Sequence, residues 1–234
     1  MLVSGIPDAL VGTNCWVLAP GAGEECVVVD PGFEVLDRLD AVLAEHGLRP
    51  AAVLLTHGHA DHVWSVTPVC GARGVPALVH ADDRYRLADP LAGLGAPFLA
   101  MLEQRFGPSA RWQEPDDVRS FTDGEHLDVA GLGLDVLHAP GHTEGSAVFV
   151  LDGVPDPSSG LGEGMTSTLL SGDVLFAGSI GRTDLSGGDP AAMERSLRDV
   201  VLPMPDDRLV LPGHGGPTHV GLERRTNPFL QQLS

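Results

Sequence analysis

The segment Thr56-His57-Gly58-His59-Ala60-Asp61-His62 sets four side chains of metal-binding type inside six positions, directly after the apolar run AAVLL at 51–55. The run reads as a buried strand, and the abrupt change of character after it marks the strand's mouth. In an extended stretch, side chains two residues apart point the same way, so His57 and His59 can address one metal ion. Asp61 and His62, on the turn that opens a helix, can aim at a second. One segment thus offers two half-sites, and each still needs another His and a carboxylate able to lie between two ions.

The missing donors stand downstream, each at the end of another apolar run: His142 in APGHTEGS (139–146), Asp173 in LLSGDVLF (169–176) and His214 in LPGHGG (211–216). A Gly beside each permits the sharp turn that leaves a side chain at a strand mouth. Further strand-sized apolar runs are NCWVLA (14–19), CVVVDPG (26–32) and PALVH (76–80), and from Ser120 onward HLDVAG, LGLDVLHAP, SAVFVLDG, TLLSGDVLF and RLVLPGH. Helical spacing predicts one helix through Leu36, Leu39, Val42 and Leu43 with a stop at Gly47, and a second from near Asp61 to Gly71 or Gly74. Ala81–Ala88 reads as a charged helical segment, Met193, Leu197 and Val200 as another helix, and residues 223–234 as a helical tail. The chain therefore divides into two αβ-rich halves of a single domain over 1–234. Residues 90–119 suit either a lid over a site or a plain connection, and 154–167 a long hairpin tip.

The chain holds 14 Arg and no Lys against 32 Asp+Glu, a formal charge of −18. So large a carboxylate excess repels phosphate backbones and anionic membrane surfaces, which argues against nucleic acid and membrane partners. No apolar stretch approaches the roughly 18–20 residues that span a bilayer, and the first residues lack a signal peptide's pattern, so a cytoplasmic location is expected. Cys15, Cys26 and Cys70 sit in apolar surroundings without C-x-x-C spacing and read as small core residues rather than ligands or disulfide partners.

The ordered set THGHADH, PGHTEGS, SGDVLF and PGHGG resembles the metallo-β-lactamase-fold hydrolase superfamily, and SIGRTDLSGGD (179–189) with ERRTNPFL (223–230) resembles its short glyoxalase II-like (hydroxyacylglutathione hydrolase-like) branch. The resemblance implies an α+β, four-layer αββα sandwich with the site at one edge between two sheets. It implies that His57, His59 and His142 bind one divalent metal and Asp61, His62 and His214 the other, with Asp173 bridging and Asp30 of VVVDPG supporting the ligands from behind. Zinc leads as the metal, with iron or manganese also suited to His/Asp donors. The implied activity is hydrolysis of a small-molecule thioester of a small thiol by metal-activated hydroxide, with Asp61 and Asp173 catalytic and no Ser or Cys nucleophile.

The G-R-T-D stretch (181–184) also resembles persulfide dioxygenases, a branch of the same fold in which a single iron would rest on His57, His142 and Asp173. Seven available donors favour the two-metal hydrolase. A non-enzymatic metal scaffold is the third reading, and the open, Cys-free donor set argues against it. Arg182 in G-R-T-D can meet a substrate carboxylate or pair with Asp184 or Asp189. His138 reads as a hydrogen-bonded strand-end residue and His80 as a cap of the site or of the next helix. His46, His126 and His219 read as surface residues, and Pro97–Leu99 with Met101 and Leu102 as helix packing.

Overall fold

The computed structural model describes residues 1–107 and 111–233. Positions 108–110 of the 90–119 segment and the last residue of the tail lie outside the described residues.

Strands β1 (Leu2–Pro7), β2 (Asn14–Ala19), β3 (Glu25–Val29), β4 (Arg49–Leu54), β5 (Ala77–His80) and β6 (Val118–Phe121) form one sheet in chain order. Its first two pairings are antiparallel and the other three parallel. Strands β7 (His126–Val129), β8 (Leu132–His138), β9 (Ala147–Leu151), β10 (Ser167–Gly172), β11 (Arg208–Pro212) and β12 (Thr218–His219) form the second, also in chain order. There only β10 and β11 run parallel. The 154–167 stretch joins the antiparallel neighbours β9 and β10, as a hairpin tip must.

The period-two alternation of strands accounts for the layering. Trp16 and Leu18 of β2 and Val27 and Val29 of β3 share a buried cluster with Leu134, Phe149, Leu170 and Leu211 of the other sheet, so this is the seam between the sheets. The alternate residues, Cys15, Val17, Cys26 and Val28, lie in a second cluster with residues of α1 (Leu36–His46) and α3 (Val66–Arg73). On the far side, Val148, Val150, Leu169 and Val210 pack with Met193, Leu197, Val220 and Leu230 of the C-terminal helices. Helix, sheet, sheet, helix is therefore the order of layers, the fold expected from the sequence. The three cysteines are free and buried, and burial pushes the thiols of Cys26 and Cys70 up to about 12.

Phe149 is fully buried at the seam, its ring 5.4 Å from that of Phe121 in an edge-on arrangement. Phe149→Leu is expected to cost about 1–2 kcal/mol in urea denaturation through lost packing and the lost ring pair. An unchanged midpoint would remove the seam from the list of stability determinants.

The helices follow their punctuation, with one exception. Helix α1 stops where Gly47 takes a left-handed φ of 64°. The expected continuous helix from Asp61 is instead two, α2 (Ala60–Val63) and α3. Between them Ser65 donates its backbone N–H to the Pro31 carbonyl and its hydroxyl to the Gly32 carbonyl, and Pro68 has no N–H to return to residue 64. Charged segment Ala81–Leu87 is 3-10 helical, and α4 (Ala96–Phe106) rises from the 90–119 excursion to pack Leu102 near Phe33. Beyond β10, α5 (Pro190–Ser196) runs into a π-helical turn, and the tail is split at Asn227-Pro228 into α6 (Val220–Thr226) and α7 (Pro228–Gln231). Strands β1 and β6 have no apolar run in the sequence to announce them. Among the described residues no helix is long and apolar enough to cross a membrane.

Candidate metal centre

Every one of the seven donors sits just past the end of a strand, at one edge of the sandwich. The first sheet supplies His57 and His59 after β4 and Asp61 and His62 on α2; the second supplies His142 between β8 and β9, Asp173 after β10 and His214 after β11. Backbone bonds lock the two edges together. Ala147 N–H donates to the Thr56 carbonyl at 2.9 Å, Asn14 N–H to that of Gly213 at 2.7 Å, and the Trp16 indole to that of Pro212 at 3.0 Å.

The structure brings all seven side chains together. His142 Nε2 lies 3.1 Å from His57 Nε2 and 2.8 Å from His59 Nδ1. Asp61 Oδ2 lies 3.2 Å from His214 Nε2 and 3.4 Å from His62 Nε2. Asp173 stands between these groups, with Oδ1 3.4 Å from His62 Nε2 and Oδ2 3.4 Å from His142 Nε2 and 3.5 Å from His214 Nε2. A Cβ added at Gly213 would come within 2.2 Å of Asp173 Oδ1, so the close approach of that chain segment requires glycine.

Whether this set suits a cation follows from where the protons are. His142 Nδ1 donates to the Arg182 carbonyl at 2.7 Å. Thr56 gives its hydroxyl proton to Asp30 Oδ2, so its oxygen accepts from His57 Nδ1. Burial, reinforced by neighbouring histidines, holds His57 well below its ordinary pKa, and burial also lowers that of His142. Both rings are therefore neutral, and with Nδ1 carrying the proton each presents a bare lone pair at Nε2. Two lone pairs facing each other at 3.1 Å repel unless an electrophile lies among them. His59 is likewise lowered to about 3 by burial and His142.

The other group asks for positive charge in a different way. Burial opposes the charged form of His62, but Asp61, Asp173 and Asp30 together outweigh it and hold the ring at about 10. Asp61 is opposed by burial too, and His62, His214 and the Thr13 hydroxyl nevertheless keep it well below the carboxylate range. His62 Nε2 and Asp173 Oδ1 are buried without a hydrogen-bond partner. Converging lone pairs, orphaned buried polar atoms and an excess of carboxylate are the signature of a site built for cations. The groupings His57, His59, His142 and Asp61, His62, His214, tied by Asp173, could each hold a metal ion.

Asp30 touches the centre only through its neighbours. Its carboxylate accepts from Thr56 N–H, the Thr56 hydroxyl and His62 Nδ1, the last at 2.9 Å, so it fixes the tautomer that turns His62 Nε2 inward. Arg182 lines the adjoining cavity, but its guanidinium forks onto Asp184 at 2.7 Å for both contacts, while Asp189 caps α5. His80 caps the 3-10 helix, His138 bonds the Glu144 carbonyl, and the two rings stack 4.2 Å apart outside the centre. His126 bonds Asp135, and His219 caps α6.

Sequence reasoning misses Asp83, which is fully buried. Its carboxylate accepts from Gly58 N–H at 2.7 Å, the Thr143 hydroxyl at 2.7 Å, Gly145 N–H at 2.8 Å and Arg86 Nε at 3.2 Å. One side chain thus fastens the loop of His57 and His59 to that of His142. Thr13 is missed as well; its hydroxyl donates to Asp61 at 2.7 Å.

The centre forms the floor of a cavity of about 800 Å³. Its walls include loop 8–13, the 90–119 excursion and the stretch after Asp173.

Comparisons with known proteins agree with this geometry. The sequence profile of the metallo-beta-lactamase superfamily matches residues 9–155. An uncharacterised protein of Mycobacterium tuberculosis is 43% identical over the whole of both chains. The hydroxyacylglutathione hydrolase GloC of Haemophilus influenzae is 34% identical, again over the whole of both chains. Among solved structures, the BLEG-1 B3 metallo-beta-lactamase superposes with a TM-score of 0.76 at 32% identity, covering 98% of this chain and 99% of its own. TTHA1623, solved in a di-iron-bound form, superposes with a TM-score of 0.73 at 34% identity, covering 97% of this chain and 100% of its own.

Proposed function

This chain belongs to the metallo-β-lactamase superfamily, and from that premise we propose that it is a two-metal hydrolase cleaving a thioester of a small thiol. The observation that carries the reading is the convergence of seven donor atoms in two groups joined by Asp173 on the floor of a substrate-sized cavity. The full-length similarity to a hydroxyacylglutathione hydrolase supports the thioester, and the di-iron form of TTHA1623 supports two ions of a first-row metal. Zinc is our first assignment; imidazoles and carboxylates without thiolates suit it, and suit iron or manganese as well.

His57, His59 and His142 would hold one ion and Asp61, His62 and His214 the other, with Asp173 shared. Two divalent ions held there would supply Lewis acidity toward water and a carbonyl oxygen. The chain itself orients and excludes. Asp30 and the Arg182 carbonyl hold His62 and His142 with their Nε2 atoms inward. Asp61, fixed by Thr13 and lining the cavity, keeps a charged carboxylate turned to the floor. Apolar walls seat the acyl group and keep bulk water away from it.

Elemental analysis of protein purified without added metal, combined with S-lactoylglutathione hydrolysis, tests the reading. Two metal equivalents per chain with thioester turnover are expected. One iron per chain, with oxygen uptake on glutathione persulfide and no hydrolysis, would replace it by the dioxygenase reading.

A further inference from the structure

The cavity above the centre is walled by apolar side chains from three separate segments. Val11 comes from loop 8–13, Leu94 and Phe98 from the 90–119 excursion, and Phe176, Ile180 and Leu185 from the stretch after Asp173. Loop 8–13 is held in shape by Asp8, whose carboxylate accepts from the backbone N–H groups of Leu10, Val11, Gly12 and Thr13. Phe98 is braced on Phe33, with ring centres 6.3 Å apart. These walls are built, and they offer a substrate contact area rather than polar recognition.

Polar recognition of an anion is correspondingly weak. Among the described residues, Arg86 and Arg182 are the only Arg side chains lining the cavity, and the chain has no Lys. Arg86 is taken up by Asp83 at 3.2 Å, Glu144 at 2.5 Å and the Ser186 carbonyl at 2.9 Å. Arg182 is forked onto Asp184. A carboxylate on the substrate would have to displace a carboxylate of the protein, and Asp89 lines the same cavity. With −18 on the whole chain, the surrounding field adds to the repulsion of an anion approaching this mouth.

We infer that the substrate carries an uncharged, medium-length aliphatic acyl chain, and that recognition comes from this chain rather than from carboxylates on the thiol. The inference rests on the thioester hydrolase reading for the bond that is cut, and on the cavity walls alone for the group that is bound. Glutathione, with its two carboxylates, then contributes only a sulfur.

The test is isothermal titration calorimetry of the metal-loaded protein with four thioethers, which cannot be hydrolysed: S-methyl and S-hexyl N-acetylcysteamine, and S-methyl and S-hexyl glutathione. Hexyl is expected to bind at least about tenfold more tightly than methyl on the neutral thiol, since each fully buried methylene is worth roughly fourfold in affinity. The glutathione head is expected to improve binding by less than about threefold on either tail, because its carboxylates find no unpaired guanidinium or ammonium group among the described residues of the cavity walls. Leu94→Ser, on the loop just before α4, is expected to reduce the hexyl gain by at least about twofold, and Phe98→Ala gives a second reading of the same wall. A smaller hexyl gain, a larger glutathione gain, or a hexyl gain indifferent to both substitutions would overturn the inference. Because binding is measured without turnover, a protein that ranks the thioethers as expected yet cleaves no thioester would lose the proposed reaction and keep its ligand class.

Discussion

Asp173→Ala is expected to abolish hydrolysis, a loss of at least about a thousandfold in kcat/KM, and to strip both metals to well below one equivalent per chain on dialysis. The reason lies in where its two oxygens stand. One faces His62 and the other faces His142 and His214, so the carboxylate reaches ligand atoms of both donor groups with negative charge. Removing it leaves five imidazoles with only Asp61 to balance two divalent charges. Asp173→Asn keeps the shape and removes the charge, and is expected to lose the metals nearly as completely. Elemental analysis beside thioester kinetics checks both variants. Two equivalents of metal in an active Asp173→Ala protein would take this residue out from between the groups.

Asp83→Ala carries the second large effect, on stability and activity together. Asp83 is fully buried and accepts four hydrogen bonds. Alanine would leave the Gly58 and Gly145 N–H groups and the Thr143 hydroxyl without their acceptor and expose buried Arg86 to a lost partner. Breaking a buried charge pair from one side costs about 3–5 kcal/mol, so a shift of that order is expected in urea denaturation. Activity is expected to fall about a hundredfold even where the protein is folded, since the loops carrying His57, His59 and His142 lose their common fastening and small misplacements are costly. Asp83→Asn retains one acceptor oxygen and is expected to fall between the two. Wild-type stability and turnover in Asp83→Ala would show that the loops hold their positions without it.

The contrast between these residues explains what the sequence discloses. Asp173 is legible because it ends an apolar run, follows a glycine and belongs to an ordered series with THGHADH, PGHTEGS and PGHGG. Strand mouths leave a local mark, and the alternation that builds the seam leaves another, so β2 is readable residue by residue from NCWVLA. Asp83 leaves none. It sits beside Asp82 in a charged helical stretch, and one of the two is fully buried while the other is exposed. What separates them is the arrival of two distant loops, at Gly58 and Gly145, and no local pattern encodes that. Thr13 is hidden for the same reason. The break between α2 and α3 is hidden because the competing bonds come from Pro31 and Gly32, more than thirty residues earlier. Strand β1 is hidden because Gly5, which a strand pattern disfavours, makes room for the Trp16 ring, 2.6 Å from where a Cβ would stand.

The donors are divided between the sheets, four from the first and three from the second, and they are encoded in that order. During synthesis the four of THGHADH leave the ribosome well before any strand of the second sheet exists. His142 then completes the first donor group, Asp173 follows, and His214 closes the second group only once β11 has been made. An ion captured early would meet a partial, solvent-exposed set. The full set exists only where Ala147 has reached Thr56 and Asn14 has reached Gly213, so tight retention of metal becomes a sign that both halves have folded and docked.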